Sequence, residues 1–342
     1  MSINIAVVGA TGNVGREMLS ILASKKFDSK NIFPVASSRS EGSQVEFGED
    51  QLTVESIEKF DPSKVQIALF SAGGSTADEW APKFAEKNCI VIDNSSNFRM
   101  HNDVPLIVPE VNPEALKDFK NRNIIANPNC STIQMVVALK PLHDLCKIKK
   151  VIVSTYQSVS GAGKAGMDEL FDQTKNLFSD EIKDNLKFTK PIAFNVIPHI
   201  DKFMENGYTK EEQKMSEETN KILDQDIRVS ATCVRVPVFI GHSEAISIEF
   251  ENHVSVEDAR LALKNADGCT LLDEREDGGY VTPKECAGND DTYISRIRKD
   301  TALENGLSIW VVSDNLRKGA ALNTIQIAEM LIKDYLNKWE MT

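Results

Sequence analysis

The sequence offers little that suits a membrane, a disulfide scaffold or a nucleic acid. No apolar run approaches the roughly 18 residues that cross a bilayer as a helix. The opening Met1-Ser2-Ile3-Asn4 lacks the basic segment and apolar core of a secretory signal, so a cytoplasmic location is expected. The six cysteines (Cys89, Cys130, Cys146, Cys233, Cys269, Cys286) are irregularly spaced and form no C-x-x-C pair. A disulfide framework is therefore not expected, and most of the thiols read as inert small hydrophobes. No Cys/His cluster has ligand spacing, so no metal is expected. Gly/Ser linkers, low-complexity tracts and repeats are absent. Basic residues are in deficit, 39 against 51 acidic, for a net charge of -12. That balance argues against nucleic acid or an anionic membrane as the main partner, and on its face against small anions too.

What is present is a soluble globular composition, 41% hydrophobic and 26% charged. The length of 342 residues exceeds the roughly 250–300 at which one core splits, so two domains are expected. In the first third, short apolar runs (Ile3 to Val8, Asn31 to Ala36, Val65 to Phe70, Ile90 to Asp93, Asn123 to Ala126) alternate with helical patterns (Val14 to Ala23, Thr76 to Lys87). Runs of this kind fit strands buried on both faces, and the alternation predicts a Rossmann-like, doubly wound parallel sheet. Beyond Asn127 the strands lengthen: Val151 to Thr155, Thr232 to Pro237, Glu244 to Phe250, Leu307 to Val312. Ile246, Ile248 and Phe250 share one face, as a half-exposed antiparallel sheet requires. With helices expected at Gly166 to Phe178 and Glu211 to Leu223, the second part reads as an α+β domain with a mixed, largely antiparallel sheet. Ala320 to Leu336 reads as one long amphipathic helix returning to the first domain, with Ile325, Ala328, Met330 and Leu331 on one face. The expected division is 1–127 plus 320–342 against 128–319.

The first strand runs into Gly9-Ala10-Thr11-Gly12-Asn13-Val14-Gly15 and a helix follows at once. Glycines there permit a tight turn and close approach to a pyrophosphate, and the helix N-terminus supplies free N–H groups. The spacing is G-x-x-G-x-x-G rather than G-x-G-x-x-G, but strand before and helix after supply the context. An NAD site expects a carboxylate at the tip of the second strand; here the tip reads Ala36-Ser37-Ser38-Arg39-Ser40. Hydroxyls and a guanidinium suit a 2′-phosphate, so NADP(H) is the expected cofactor, although Glu41 is close and an exposed polar turn fits the same residues.

Asn127-Pro128-Asn129-Cys130-Ser131-Thr132 stands between a strand and an apolar helical pattern. Asn129 fits an N-cap, which places Cys130 in the first helical turn. The helix N-terminus favours its thiolate, and backbone N–H groups of that turn could hold an oxyanion. A small buried residue at a helix start is the competing reading.

At this point the chain resembles the aspartate-β-semialdehyde dehydrogenases. The resemblance rests on Asn127-Pro-Asn-Cys130-Ser-Thr132, Val7-Val-Gly-Ala-Thr-Gly-Asn-Val-Gly15, Phe98-Arg99, Val104-Pro-Leu-Ile-Val-Pro-Glu-Val-Asn112 and Gln157-Ser-Val-Ser-Gly-Ala-Gly163. It continues through Asn195-Val-Ile-Pro-His199, Glu211-Glu-Gln-Lys214, Arg235-Val-Pro-Val238, Gly241-His-Ser-Glu244 and Asp314-Asn-Leu-Arg-Lys-Gly-Ala-Ala321, in order from first strand to last helix. It implies NADPH-dependent reductive dephosphorylation of L-aspartyl-4-phosphate to the 4-semialdehyde, a step toward lysine, threonine and methionine. The same resemblance implies a thioester on Cys130, with Asn129 beside it in the catalytic set, His242 as general acid/base and Gln157 orienting the acyl group. Arg235 would hold the substrate carboxylate and Glu211 its ammonium, while Arg99 and Lys214 would hold phosphate. Gly9, Thr11, Gly12, Asn13, Val14, Ser38, Arg39 and Ser71 would meet the cofactor, with Ser160, Gly161 and Asn315 toward its nicotinamide. A homodimer through the second domain is also implied.

Without the resemblance His199 equals His242 as a candidate, Arg235 could be an exposed strand arginine, and Glu211 and Lys214 a surface ion pair. N-acetyl-γ-glutamyl-phosphate reductase, whose nucleophile segment reads Pro-Gly-Cys-Tyr, is the nearest alternative, and a non-catalytic NADP-binding regulator is the other. If the assignment holds, the acidic total misleads, because Arg39, Arg99, Lys214 and Arg235 would be gathered around anions.

Overall fold

A computed structural model describes residues 3–177 and 187–336. It divides into two compact units, Met1–Asn129 with Ala320–Thr342, and Cys130–Gly319. The division falls two residues beyond the one expected at 127.

In the first unit β1 (Ile5–Val8), α1 (Asn13–Ser24), β2 (Ile32–Ala36), β3 (Gln44–Phe47), β4 (Asp50–Thr53), β5 (Glu55–Ser56), β6 (Ile67–Phe70), α2 (Gly74–Ala85), β7 (Ile90–Asp93) and β8 (Ile124–Ala126) follow in order. The main sheet has the order β5-β2-β1-β6-β7-β8, and all its pairs are parallel. β1, β6 and β7 are buried along their whole length, which is why they are short continuous apolar runs. Met18, Leu19, Ile21 and Leu22 of α1 pack into the same core. β3 and β4 form a separate hairpin.

The second unit comprises α3 (Cys130–Leu145), β9 (Ile148–Gln157), α4 (Lys164–Asn176), α5 (Lys210–Ile222), β10 (Arg228–Arg235), β11 (His242–Phe250), α6 (Val256–Lys264), β12 (Cys269–Leu271), α7 (Pro283–Cys286), β13 (Thr292–Lys299) and β14 (Gly306–Ser313). Its sheet runs β10-β9-β11-β14-β13-β12. The β10–β9 and β12–β13 pairs are parallel and the central pairs antiparallel. Met135, Ala138, Leu139 and Leu142 of α3 share one core with Val151, Val153, Ile246, Ile248, Phe250, Leu307 and Ile309. α5 opens with a capping box between Thr209 and Glu212. The helix expected over Gly166 to Phe178 is α4; Phe178 lies outside the described residues.

The chain returns to the first unit as α8 (Leu322–Leu331). This corrects the expectation of one amphipathic helix from Ala320 to Leu336. The α-helical part is shorter and is flanked by π-turns at Arg317–Ala321 and Ile332–Leu336. It is also buried on several sides, at Leu322, Ile325, Ile327, Ala328 and Leu331, with Asn323 and Thr324 buried among them. A helix enclosed this far needs no polar stripe, so the one-face pattern underestimates its burial.

Candidate active site

In the first unit β1 ends in a loop anchored to β2 by Gly9 N and Ala10 N, which donate to Val35 O at 2.8 and 3.2 Å. Gly9 adopts φ +88, and a Cβ there would lie 2.8 Å from the Ser71 carbonyl carbon. A Cβ on Gly15 would fall 2.2 Å from Gly9 O, so α1 can start this close to the loop only with glycine at both places. Gly12 is the N-cap of α1, offers no side-chain cap, and no acid stands in the first turn formed by Asn13, Val14 and their neighbours. The helix amides thus keep their capacity to bind an anion. Arg16 Nε donates to Thr11 O at 3.1 Å, and Ser71 Oγ to Val8 O at 3.1 Å. At the tip of β2 a 3-10 turn over Ser38–Ser40 leaves Ser38 and Arg39 exposed. Glu41 pairs with Lys59 at 2.9 Å, so its carboxylate is already matched.

The segment leading to Cys130 is fastened within this unit. Buried Arg99 donates from Nε to Asn127 O at 2.9 Å and from Nη2 to Asn94 O at 2.8 Å. Asn127 Oδ1 accepts from Asn323 Nδ2 at 2.7 Å, and Asn94 Oδ1 from Thr324 Oγ1 at 2.9 Å. Asn129 is buried.

In the second unit the strand register writes the site. Arg235 on β10 pairs with Gln157 on β9, and His242 on β11 pairs with Ser313 on β14. The β9–β11 register, in which Glu244 faces Thr155 and Ser243 faces Tyr156, brings His242 beside Gln157. Arg235, Gln157, His242 and Ser313 therefore form one cross-strand row, and all four are buried. One row deeper stand Cys233, Thr155, Glu244 and Val311, and beyond them Ala231, Val153, Ile246 and Ile309. Polarity is thus concentrated at one end of a face that is otherwise core.

The start of α3 is packed at that polar end. Cys130 is its first residue, and Gln134, one turn on, donates to His242 O at 3.4 Å. The backbone of Gly319 lies against Cys130, where a Cβ would come within 2.9 Å of the Cys130 Cβ. α5 covers the other end of the row. Gln157 Nε2 donates to Glu211 Oε1 at 3.3 Å, and Lys214 Nζ bridges Glu211 Oε2 at 3.1 Å and Asp201 Oδ2 at 2.8 Å. Burial opposes the Lys214 charge, but the two carboxylates outweigh it and raise its pKa.

Ser158 connects the parts. Its backbone N–H donates to His242 Nδ1 at 3.1 Å, and its carbonyl accepts from Arg235 Nη1 at 2.6 Å. Its hydroxyl lies 3.1 Å from the same imidazole nitrogen and 3.0 Å from Asn315 Oδ1. Asn315 also accepts from Gly241 N at 2.9 Å and exchanges hydrogen bonds with Ser160 Oγ, so it braces the turns around His242. The turn over Val159–Ala162 puts Gly161 where a Cβ would lie 3.0 Å from Arg235 Nη1 and 3.4 Å from His242 Nε2. Burial and the Arg235 guanidinium hold the His242 pKa well below its ordinary value. Burial lowers that of Arg235, with Glu211 and Cys130 opposing, and a guanidinium stays charged near neutrality. Burial pushes the Glu244 carboxyl well above the usual range.

Of the residues expected from sequence, Cys130, Gln157, Ser160, Gly161, Glu211, Lys214, Arg235, His242 and Asn315 lie in this unit. Arg99, Asn129 and the dinucleotide-loop residues belong to the first. His199 instead stacks on Phe203 with ring centroids 4.3 Å apart. Sequence reasoning missed Ser158, Gln134 and Glu244. The period of two places Glu244 on the face of Ile246 and Ile248, and Gln134 stands i+4 from Cys130; both signals were there to be used. Among the described residues no group of three or more His, Cys, Asp or Glu could hold a metal, and no helix is long and apolar enough to cross a membrane.

A glycine loop between strand and helix on a parallel sheet, in a chain whose other unit carries a helix-start cysteine beside a buried His–Gln–Arg row, fits an NAD(P)-dependent oxidoreductase. Comparison with known proteins agrees. Residues 4–119 match the semialdehyde dehydrogenase NAD binding domain, and 139–318 the semialdehyde dehydrogenase dimerisation domain. The chain is 55% identical over 339 residues to the aspartate-semialdehyde dehydrogenase of Aquifex aeolicus, covering 98% of this chain and 100% of that one. A structure of aspartate semialdehyde dehydrogenase II from Vibrio cholerae, complexed with ASA, superposes with a TM-score of 0.95 at 50% identity, covering 98% of this chain and 99% of that one. One from Candida albicans, with NADP, gives 0.75 at 26%, covering 97% and 99%. The chain belongs to the aspartate-semialdehyde dehydrogenase family.

Proposed function

We propose that the protein catalyses the NADPH-dependent reductive dephosphorylation of L-aspartyl-4-phosphate to L-aspartate 4-semialdehyde. The observation that carries this is the juxtaposition of Cys130 at the start of α3 with the buried row Arg235–Gln157–His242, flanked by buried Glu211. Cys130 is the nucleophile, favoured as thiolate by the helix N-terminus and the nearby guanidinium. Its attack on the acyl carbon expels phosphate and leaves a thioester. Arg235 commits one donor to Ser158 O and offers the rest of its fork to the substrate carboxylate. Glu211 takes the ammonium, Gln157 orients the acyl group and His242 is the general acid/base. Arg99 and Lys214 bind the phosphate, and Asn129 fixes the start of the nucleophile turn. Bound NADPH supplies the hydride that reduces the thioester.

The loop Gly9, Thr11, Gly12, Asn13 and Val14 fits the cofactor, since glycine at 9 and 15 lets α1 start close against the end of β1 and α1 has no side-chain cap. Ser38 and Arg39 fit a 2′-phosphate, with Glu41 neutralised by Lys59. Ser71 completes the phosphate side, and Ser160, Gly161 and Asn315 border the nicotinamide.

A buried acid for a free ammonium favours this substrate over an N-acetylated one, and a cysteine held among Gln157, Arg235 and His242 speaks against a non-catalytic regulator. The test is phosphate-dependent NADP reduction with aspartate semialdehyde, set against N-acetyl-glutamate semialdehyde. Turnover of the first, abolished by Cys130→Ala, supports the reading; turnover of the second alone overturns it. We also propose a cytosolic homodimer through the second unit, supported by its match to a dimerisation domain and by exposed Ile152 and Tyr156 on the sheet face away from α3.

A further inference from the structure

We propose that Phe188 is a positioning residue for the substrate carboxylate: its ring packs against the Arg235 guanidinium, shields it from water and leaves its uncommitted donors to the substrate. The inference rests on the reaction proposed above and goes further, to how the carboxylate is held.

Arg235 is gripped at three places. Its main chain pairs with Ile197, donating to Ile197 O at 2.8 Å and accepting from Ile197 N at 2.9 Å, along the outer edge of β10, the terminal strand of the sheet. Its guanidinium makes one hydrogen bond among the described residues, from Nη1 to Ser158 O at 2.6 Å. Its Cζ lies 5.9 Å from the centroid of the Phe188 ring. A guanidinium is planar and weakly hydrated, so an aromatic ring attracts it and covers it without taking any of its N–H groups. A carboxylate or amide in that place would consume donors that a substrate carboxylate needs.

Phe188 is fastened there by α4. Its backbone N–H donates to Glu169 Oε2 at 3.3 Å, and Lys187 N donates to the same oxygen. Gln173, one turn along the helix, donates to Glu169 Oε1 at 2.8 Å and accepts from Ile192 N and Ala193 N at 2.8 and 3.0 Å. Two side chains of α4 thus clamp the 187–193 segment at both ends, and Glu169 is buried in doing so. The ring packs with Val159, Leu170, Ile192 and Ile197. Two glycines make the room. A Cβ on Gly166, in the first turn of α4, would lie 2.8 Å from Val159 O and 3.0 Å from Phe188 Cζ, and one on Gly161 would lie 3.0 Å from Arg235 Nη1. Glycine inside a helix is unfavourable, yet at 166 it lets the tip of the ring seat against α4.

Burial disfavours the Arg235 charge and Glu211 offsets it. The ring face adds an attraction that does not compete for hydrogen bonds. A guanidinium kept dry binds a carboxylate more strongly than a hydrated one, because the local dielectric is lower. The substrate carboxylate takes no part in the bond changes, so its contact is the same in ground state and transition state. Loss of the ring should therefore appear in KM and not in kcat.

The test compares the parent with Phe188→Ala in phosphate-dependent NADP reduction, with semialdehyde, phosphate and NADP varied in turn. KM for the semialdehyde should rise about three- to thirtyfold, with kcat within about twofold of the parent and the other two KM values unchanged. Glu169→Ala removes the anchor of Lys187 N and Phe188 N while keeping the ring, and should move the same KM in the same direction. It decides the question if Phe188→Ala does not fold by circular dichroism. An unchanged semialdehyde KM in the folded variant, or an equal effect on all three substrates with a fall in kcat, overturns the proposal. A second readout needs no substrate: phenylglyoxal labelling of Arg235 in the ligand-free protein, followed on its peptide by mass spectrometry, should be several-fold faster in Phe188→Ala. Equal labelling rates overturn the shielding role. Absence of parental turnover would remove the reaction assignment, and the labelling would then decide the Phe188–Arg235 contact by itself.

Discussion

Glu211 and Lys214 face each other across one turn of α5, Nζ to Oε2 at 3.1 Å, and each also holds a partner from elsewhere: Gln157 on the one, Asp201 on the other. A surface ion pair contributes little, but this one is mostly buried and ends against the His242–Gln157–Arg235 row. Glu211→Gln keeps the hydrogen bond from Gln157 and removes the charge offered to an ammonium. A charge-assisted hydrogen bond contributes roughly 1.5–3 kcal/mol, so KM for the semialdehyde should rise about ten- to a hundredfold with a smaller change in kcat. Lys214→Met should instead raise KM for phosphate. Steady-state kinetics with each substrate varied separates the two, and a kcat-only effect in either variant would contradict the binding roles.

A second prediction concerns Glu244, whose carboxyl is fully buried one row behind His242, with Gln134 facing it outside hydrogen-bond geometry. Burial raises its folded-state pKa above the unfolded value, so the folded protein keeps a proton that the unfolded chain releases. The favourable state of this group is fully present below the unfolded value of about 4.3. It is lost progressively as pH rises toward the folded one. Glu244→Gln removes that loss. Its melting temperature should exceed the parent's at neutral pH, by about 2–4 °C per kcal/mol regained, with the gap shrinking toward about pH 4. Thermal melts across that range check this, and a gap that does not depend on pH would show that Glu244 is not the titrating group. Glu244→Leu has the further cost of removing a polar neighbour from Gln134 and should melt lower than Glu244→Gln.

The first sheet was legible in the sequence because β1, β6 and β7 are buried on both faces and each appears as an unbroken apolar run. The β3–β4 hairpin was not, since only Val45 and Phe47 bury a side of it and the other strand residues are largely exposed, although Gly48 in its turn, at φ +60, was a usable signal. Of the site, Cys130 is signalled locally by strand, asparagine and helix start. His242, Gln157 and Arg235 are distant in sequence, and what joins them is the register of β9, β10 and β11. No local pattern encodes that register, and only the family resemblance picked them out. Ser158 acts mainly through its main-chain atoms, to which side-chain chemistry gives no clue.

Cofactor preference should reside at the tip of β2. Ser38 and Arg39 are exposed there, and the neighbouring carboxylates are already matched: Glu41 pairs with Lys59, and Glu58 accepts from Ser56 Oγ and from the Ser38 backbone N–H. Replacing Ser38 by Asp and Arg39 by Ala should reverse the electrostatic preference, repelling a 2′-phosphate and accepting a ribose hydroxyl. The ratio of kcat/KM for NADP over NAD should fall by at least about a hundredfold, the equivalent of two charge-assisted contacts at roughly 1.4 kcal/mol each. An unchanged ratio would place 2′-phosphate recognition elsewhere.

The outer face of the second sheet supplies the last prediction. Along β9 Val151 and Val153 are buried beneath α3, whereas Ile152 is 48% and Tyr156 36% exposed on the opposite face. Tyr156 also packs against Trp310 of β14, with ring centroids 5.6 Å apart. Apolar and aromatic side chains on neighbouring strands of one face form a patch that a second copy would cover. Ile152→Glu with Tyr156→Glu places two like charges in that patch on each subunit. A symmetric interface brings each introduced charge near its own copies, which multiplies the penalty. Sedimentation velocity should show the parent as a dimer and the double variant as a monomer at micromolar concentration. Neither side chain belongs to the core beneath α3, so circular dichroism should remain that of the folded protein. A variant that stays dimeric while folded would move the interface to another surface.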